Sequence, residues 1–362
     1  MRVKLKDITK FSKGTQINGK NLIDDGAYPY LNGGINPSGK WNEFNVAENT
    51  VTISEGGNSS GYVNYMNEAF WCGAHCYYLY DGPKNSKYLY YALKSQQERL
   101  FRIRSGACMP NIKKSDLGNF IIEYEEDETR QEEVVKVLEK CELLIEDYNK
   151  KLALLDEAVR ARFVEMFGDP VVNDKKWEIR YFSDLGELKR GKSKHRPRND
   201  PILLGGKYPL IQTGDVTNSN TYIKSYTSTY SEEGLKQSKM WKKGTLCITI
   251  AANIAESAIL TFDACFPDSV VGFTPNGEVI SLFIHYWLSF LQPILEENAP
   301  AVAQKNLNVA TLEKVGVIVP PLELQNQFAS FVQEIDKSRS RIQKSLEASQ
   351  ELFDSLMQEY FG

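Results

Sequence analysis

Hydrophobic positions along this chain follow two different periods, and the change from one to the other divides it. Residues 1 to about 120 set short β-branched or aromatic runs between turn-forming clusters: NTVTIS, then GGNSSG, GYVNYM and AFWCGAHCYYLY. This alternation predicts the strands of a small mixed sheet or barrel. One helix, over residues 86–102, precedes a loop. From Thr129 to Phe167 the pattern turns helical. Val134, Cys141, Tyr148 and Leu155 share one heptad position, and Leu138, Ile145, Leu152 and Val159 share the position four residues on. The stripe returns late in the chain as Phe328, Ile335, Ile342 and Ser349 with Val332, Arg339, Leu346 and Phe353. An amphipathic stripe ordinarily packs on its parent domain. At 1.5 Å per residue, however, the first stretch reaches roughly 55 Å, past the edge of a domain this size, so the expected partner is the other long helix.

The two stripes belong to a duplication of the whole chain. VKLKDI (Val3 to Ile8) matches RYFSDL (Arg180 to Leu185), and Gly14 matches Gly191, at an offset of 177. Tyr28-Pro29 matches Tyr208-Pro209 at 180, and TVTIS (Thr50 to Ser54) matches TLCIT (Thr245 to Thr249) at 195. The second copy therefore carries 15 extra residues between its Tyr-Pro pair and that strand. Tyr91 and Tyr286, Asn111 and Asn306, and Leu117 and Leu312 continue the match, and ARFVEMFG (Ala161 to Gly168) pairs with SLMQEYFG (Ser355 to Gly362) at 194. A two-fold between the copies would run the helices antiparallel with a globular domain at each end, which makes helix length a ruler. The copies agree at their ends and differ in their middles, as two loop sets with different targets on one scaffold would.

Composition narrows the class. At 362 residues, 42% hydrophobic and 11% aromatic, the chain can fill two cores and is not a disordered scaffold. Six cysteines without a paired framework, and no basic-then-apolar leader, point to a reducing, cytoplasmic setting. Val279 to Leu295 is apolar but broken by Ser281, His285, Ser289, Gln292 and Pro293, so it is expected to be a buried helix and not a membrane span. A net charge of −4 argues against a nucleic-acid partner until its distribution is considered. Glu123 to Glu165 holds 14 acidic and 7 basic residues, which leaves the rest of the chain at about +3.

Three motifs could mislead. Gly186 to Ser193 spells G-x-x-x-x-G-K-[ST], but Lys194-His195-Arg196-Pro197 cannot begin the helix that a phosphate loop needs, and the first copy lacks the motif. Cys72, His75 and Cys76 offer three ligands where a structural zinc site needs four, so no metal is expected. Asp184, Glu187 and Lys189 only loosely mimic a nuclease set, and no methyltransferase motif is present; no catalytic residue is assigned. Basic clusters survive this screening: Lys10 and Lys13 with Arg2, Lys4 and Lys6; Arg99, Arg102 and Arg104; and Lys192, Lys194, Arg196 and Arg198 with Lys189 and Arg190. Such runs are often plain solvated surface, but these lie in the globular parts beside acidic helices, which favours phosphate contact.

Taken together, the openings LKDITKFSKG and FSDLGELKRGKS, the stretch AVAQKNLNVATLEKVGVIVPPLELQNQ (Ala301 to Gln327) and its weaker copy SGACMPNIKKSDLGNFIIEYEEDETRQ resemble the specificity subunits of type I restriction-modification systems. The first copy departs from the pattern, with Glu125-Glu126 where Pro320-Pro321 stand. The resemblance spans the chain. It implies an α/β (α+β) fold: a target-recognition domain at 1–122, a helical spacer at 123–172, a second recognition domain at 173–319 and a second spacer at 320–362, the spacers forming an antiparallel coiled coil. It implies double-stranded DNA as ligand, read as a split, asymmetric target. It also implies two modification subunits that methylate adenine, and restriction subunits. S-adenosylmethionine, ATP and Mg would then belong to those partners, with no cofactor on this chain. Base reading is expected from loop side chains, with Asn58, Ser59 and Lys305 joining the basic residues above as candidates. A coiled-coil adaptor that organises protein partners is the alternative.

Overall fold

The computed structural model describes residues 1–106, 108–251, 253–297 and 307–362. They form two compact units, Met1–Lys150 with Ile342–Gly362, and Lys151–Arg341. Each unit is one reader plus part of both long helices, Glu128–Phe167 and Leu322–Phe361.

The duplication is one topology used twice. In the first unit the strands Lys10–Lys13, Cys76–Tyr80, Thr50–Ser54 and Val63–Met66 lie side by side, all antiparallel. A smaller sheet sets Tyr28–Leu31 between Gly39–Trp41 and Trp71–Cys72, the latter parallel. The second unit repeats the order with Gly186–Arg190, Val270–Pro275, Leu246–Thr249 and Ser257–Leu260, and with Leu204–Leu210 between Ser228–Tyr230 and Ala264–Cys265. The barrel character expected from the strand runs is absent among the described residues: these sheets are open. The extra residues of the second copy appear where the offset jumps. Between Tyr208 and Thr245 they build the helical turns Thr213–Thr217 and Glu232–Lys236, and the strands Tyr222–Ile223 and Met240–Trp241 add one edge to each sheet.

Strand register corrects one detail of the match between copies. AFWCGAHCYYLY is two strands separated by a turn at Gly73 to His75. Tyr30 pairs with Trp71 as Leu210 pairs with Cys265, and Lys13 pairs with Tyr77 as Arg190 pairs with Val271, so this stretch matches at an offset of 194 and the counterpart of Cys72 is Phe266. The repeated glycine has a steric reason. A Cβ on Gly14 would stand 1.9 Å from the Cys72 carbonyl oxygen, and one on Gly191 would stand 2.3 Å from those of Phe266 and Pro267. Only glycine lets the chain leave the sheet so close to its neighbour.

Each reader is sealed by the far end of a long helix. The buried stripe begins at Val134 and Leu138, which pack into the first reader's core together with Met357 and Phe361 from the last turns of the second long helix. In the second unit Val159, Phe163 and Phe167 meet Phe328 and Val332 in the core. Phe167 packs on Phe283 with ring centroids 5.0 Å apart, and the repeat-equivalent pair Phe361 and Tyr88 lies at 5.2 Å. The helices run in opposite directions: within the second unit Phe163 faces Phe328 at 5.4 Å while Asp156 meets Arg339 at 2.6 Å. That ion pair explains how a charge sits in an apolar stripe, since the Arg339 side chain is 19% exposed and braced by Asp156.

A buried amide fixes each junction between reader and helix. Gln131 donates from Nε2 to the Glu125 carbonyl at 2.6 Å, and Gln325 donates to the Pro320 carbonyl at 2.8 Å. The helix expected over 86–102 is two, Ser86–Lys94 and Gln97–Arg102. The break frees Gln97 to bridge the sheet, its side chain accepting from the Val63 N–H at 3.0 Å and donating to the Gly61 carbonyl at 2.6 Å. The apolar stretch near residue 280 is the helix Ser281–Glu297, buried through Leu288, and among the described residues no helix is long and apolar enough to cross a membrane.

Two features of this packing can be tested directly. Phe361→Ala, which opens a cavity in the first reader's core, should cost about 3 kcal/mol of stability in denaturant titrations. His285 is buried, touches Ser257 Oγ at 3.0 Å, and is pushed down to about 4 by loss of hydration. Its folded pKa lies below the unfolded value of 6.5, so the unfolded chain takes up a proton first as pH falls. Stability should therefore be lost from about pH 6.5 toward pH 4, at roughly 1.4 kcal/mol per pH unit. His285→Gln should flatten that slope between pH 6.5 and 5; an unchanged slope would refute the assignment.

Candidate nucleic-acid interface

Both readers gather their loops at one end of the larger sheet. In the first, Ser59 Oγ donates to the Gly33 carbonyl at 2.5 Å and the Gly57 N–H donates to the Pro110 carbonyl at 2.9 Å. Arg104 reaches the Asn58 carbonyl at 3.3 Å and the Phe101 carbonyl at 2.7 Å, its guanidinium lying over the Phe101 ring. Lys13 meets Glu55 at 2.7 Å, and the other Glu55 oxygen lies 3.5 Å from His75 Nδ1. Of the sequence candidates, Lys13, Asn58, Ser59 and Arg104 are thus brought together. Lys10 is not: it sits at the opposite end of its strand, paired with Asp81 at 2.9 Å. Arg99 and Arg102 line a separate hollow of about 410 Å³ with Asp116 and Asn119.

The second reader presents its cations on one braced loop. The N–H groups of Lys194 and His195 both donate to Gln237 Oε1, at 2.6 and 3.1 Å, and Ser238 Oγ donates to the Lys192 carbonyl at 2.9 Å. His195 Nε2 lies 3.0 Å from Asp200 Oδ2. Arg196 and Arg198 both turn to Asp268, the first at 3.5 Å, while Arg190 donates to the Asp268 carbonyl at 3.0 Å. Lys192 and Lys194 are exposed and have no side-chain partner among the described residues. Lys305 lies outside the described residues.

Behind this loop is a hollow of about 260 Å³ whose polar rim includes Asn199, Gln212, Thr213 and Ser269. None of these was legible as a site residue. A signal did exist: at the offset of 180 set by the Tyr-Pro pairs, Gln212 and Thr213 leave that strand where Asn32 and Gly33 leave it in the first copy. Asp268 was missed because an acidic residue is not sought at an edge expected to meet phosphate.

The residues of the motifs set aside in sequence lie in or beside the sheets. Gly186 to Arg190 of the phosphate-loop match is a paired strand. Cys72 and Cys76 are buried, Cys72 Sγ pointing at the Cys76 carbonyl at 3.4 Å, and the hydrogen bond with the Cys76 side chain, then burial, push the Cys72 thiol up. No group of three or more His, Cys, Asp or Glu residues able to hold a metal occurs among the described residues.

The family model described as the type I restriction modification DNA specificity domain matches twice, over residues 1–156 and 174–350. The chain belongs to that family. The two matches fall on the two copies of the repeat. A Mycoplasma genitalium protein described as a putative type I specificity subunit is 26% identical over 376 residues, covering 96% of this chain and 90% of its own. The MjaIX type I restriction enzyme specificity subunit of Methanocaldococcus jannaschii is 23% identical over 301 residues, covering 75% and 67%. In fold, the chain matches the crystal structure of a type I restriction-modification S subunit from M. genitalium with a TM-score of 0.67, at 21% identity, over 100% of this chain and 96% of that one. A solved chain of the type I R-M system matches at 0.53 and 13% identity, over 99% and 96%.

For a specificity-domain protein the Asp268 contacts predict a measurable balance. In the free protein one carboxylate holds two arginines that DNA phosphates would otherwise engage. Asp268→Asn should raise affinity for random-sequence DNA and steepen its salt dependence by about one to two log-log units, near 0.9 for each phosphate newly neutralised. Adding alanine at Arg196 and Arg198 to the Asp268→Asn variant should reverse both changes. Salt titrations of binding that leave the slope unmoved in both variants would exclude phosphate contact by these arginines.

Proposed function

We propose that this chain is the DNA-reading subunit of a type I restriction-modification complex in which each unit reads one half of a split, asymmetric target. The supporting observation is one reader topology built twice with different loops: the first has Asn32-Gly33 after its Tyr-Pro strand and the second has Gln212-Thr213 and an inserted subdomain. Identical readers would suit a symmetric target; these do not. The segments 1–122 and 173–319 act as the recognition domains. The long helices act as the spacer, through the stripes Val134, Leu138, Cys141, Ile145, Tyr148, Leu152 and Leu155 on the first and Phe328, Val332, Ile335, Ile342, Leu346 and Phe353 on the second, all buried or half-buried.

The chain itself carries no chemistry in this reading. Two modification subunits supply S-adenosylmethionine and adenine methylation, restriction subunits supply ATP- and Mg-dependent cleavage, and the complex works in the cytoplasm. This chain chooses where they act.

The test follows from the way each helix is anchored. Gln131, Val134 and Leu138 are committed to the first reader, so a change of length belongs away from them. Seven residues in heptad phase, inserted after Lys150 in one helix and after Arg341 in the other, add roughly 10 Å at 1.5 Å per residue. Methylome mapping in cells carrying that variant and the partner subunits should find both half-site sequences retained across a longer gap. The original gap, or altered half-sites, would overturn the spacer; methylation independent of the chain would overturn the whole reading.

A further inference from the structure

The reading of the second unit as a target-recognition unit leaves open which of its residues distinguish one base from another, and the hollow behind the Lys192 to Arg198 loop answers that. Its floor is apolar, formed by Leu210, Tyr230 and Pro267. Its rim carries the hydroxyls of Ser193, Thr213 and Ser269 and the amide of Asn199. Ser193 is 6% exposed, yet its Oγ has no hydrogen-bond partner among the described residues. A buried hydroxyl without a partner is a cost the fold would shed unless something else satisfies it. The Asn199, Thr213 and Ser269 side chains also make no hydrogen bond among the described residues, whereas the amide of Gln212 is already engaged with Ser228 Oγ at 3.1 Å.

The charge distribution selects among ligands. A phosphate site needs cations free to meet it, but the cation on this rim, Arg198, is held by Asp268. A carboxylate beside the hollow repels a phosphate further. What remains uncommitted is a set of neutral groups that both donate and accept, the chemistry that reads base edges in the major groove. We propose that this hollow is the base-reading subsite of the second half-site, with Asn199 as its principal specificity residue and Ser193, Thr213 and Ser269 beside it. The donor and acceptor pair of an Asn amide fits N6 and N7 of adenine, so adenine is the base expected there. The Gly191-Lys192-Ser193 run that mimics a phosphate loop thereby gains a role: it turns the chain at the sheet edge and delivers the unsatisfied hydroxyl.

The experiment uses the complex assembled with its modification subunits, acting on plasmids with randomised half-sites, with methylation mapped by sequencing. Asn199→Ala should relax preference at one adenine position of one half-site, discrimination there falling roughly five- to a hundredfold, while the other half-site is unchanged. Ser193→Ala and Thr213→Val should relax the same position or its neighbour, and Ser193→Ala should unfold no earlier than the parent on heating. Asn199 is exposed, so its variant decides the matter even if another fails to fold. An unchanged target in the Asn199 variant would overturn the proposal. So would weakening that is equal across all sequences and accompanied by a shallower salt slope, which would mean phosphate contact. A parent complex that selects no sequence would instead sink the broader reading, so the two failures can be told apart.

Discussion

Neither reader completes its own core. The aromatic end of a long helix closes each one: Phe163 and Phe167 pack among Phe283 and Phe328 in the second unit, and Phe353, Met357 and Phe361 close on Tyr88 and Tyr91 in the first. A reader of this size, with open sheets and one face of strands to cover, gains its missing apolar layer from a segment distant in sequence. Everything else depends on that closure. It holds the helices in opposite directions, ties the last turn of the chain to its first 120 residues, and leaves the far ends of the sheets free to carry loops that contribute little to stability.

The same division explains how the sheet ends can be polar without unfolding the units. At those ends many contacts run from side chain to backbone, such as Ser59 to Gly33, Arg104 to Asn58 and Gln237 to the Lys194 and His195 N–H groups. Each loop is shaped by a few local bonds, while the strands beneath are set by apolar pairs such as Ile53 and Tyr77 or Ile248 and Val271. Loop chemistry can vary because the energy of the fold lies elsewhere.

Much of this was legible in the sequence because it is periodic. The heptads from Val134 and Phe328 and the matched ends around Phe167 and Phe361 locate the long helices, whose observed starts at Glu128 and Leu322 need no tertiary information. The site was less legible. Lys10 and Lys13 read as one cluster, yet four residues of strand place them at opposite ends, one beside Asp81 and the other beside Glu55. Arg196 and Arg198 read as free cations because Asp268 is 70 residues away from Arg198 in sequence. Pairings at that distance depend on which strands become neighbours, and the offset of 195 set by the Thr50 to Ser54 strand is one residue too long for the strand of Tyr77, which matches Val271.

The buried glutamines at the junctions carry a consequence of their own. Gln131 and Gln325 grip the preceding chain by a carbonyl oxygen, a group every residue possesses, and Glu125 and Pro320 serve equally well. At Gln325 the joint is blind to the side chains that approach it, while Gln131 adds one side-chain partner, the Tyr124 hydroxyl at 3.0 Å. A different reader arriving with an unrelated final strand would still offer the carbonyl, and the helix would start in the same place. The architecture behaves as a socket whose shared fitting, at both joints, is a backbone carbonyl.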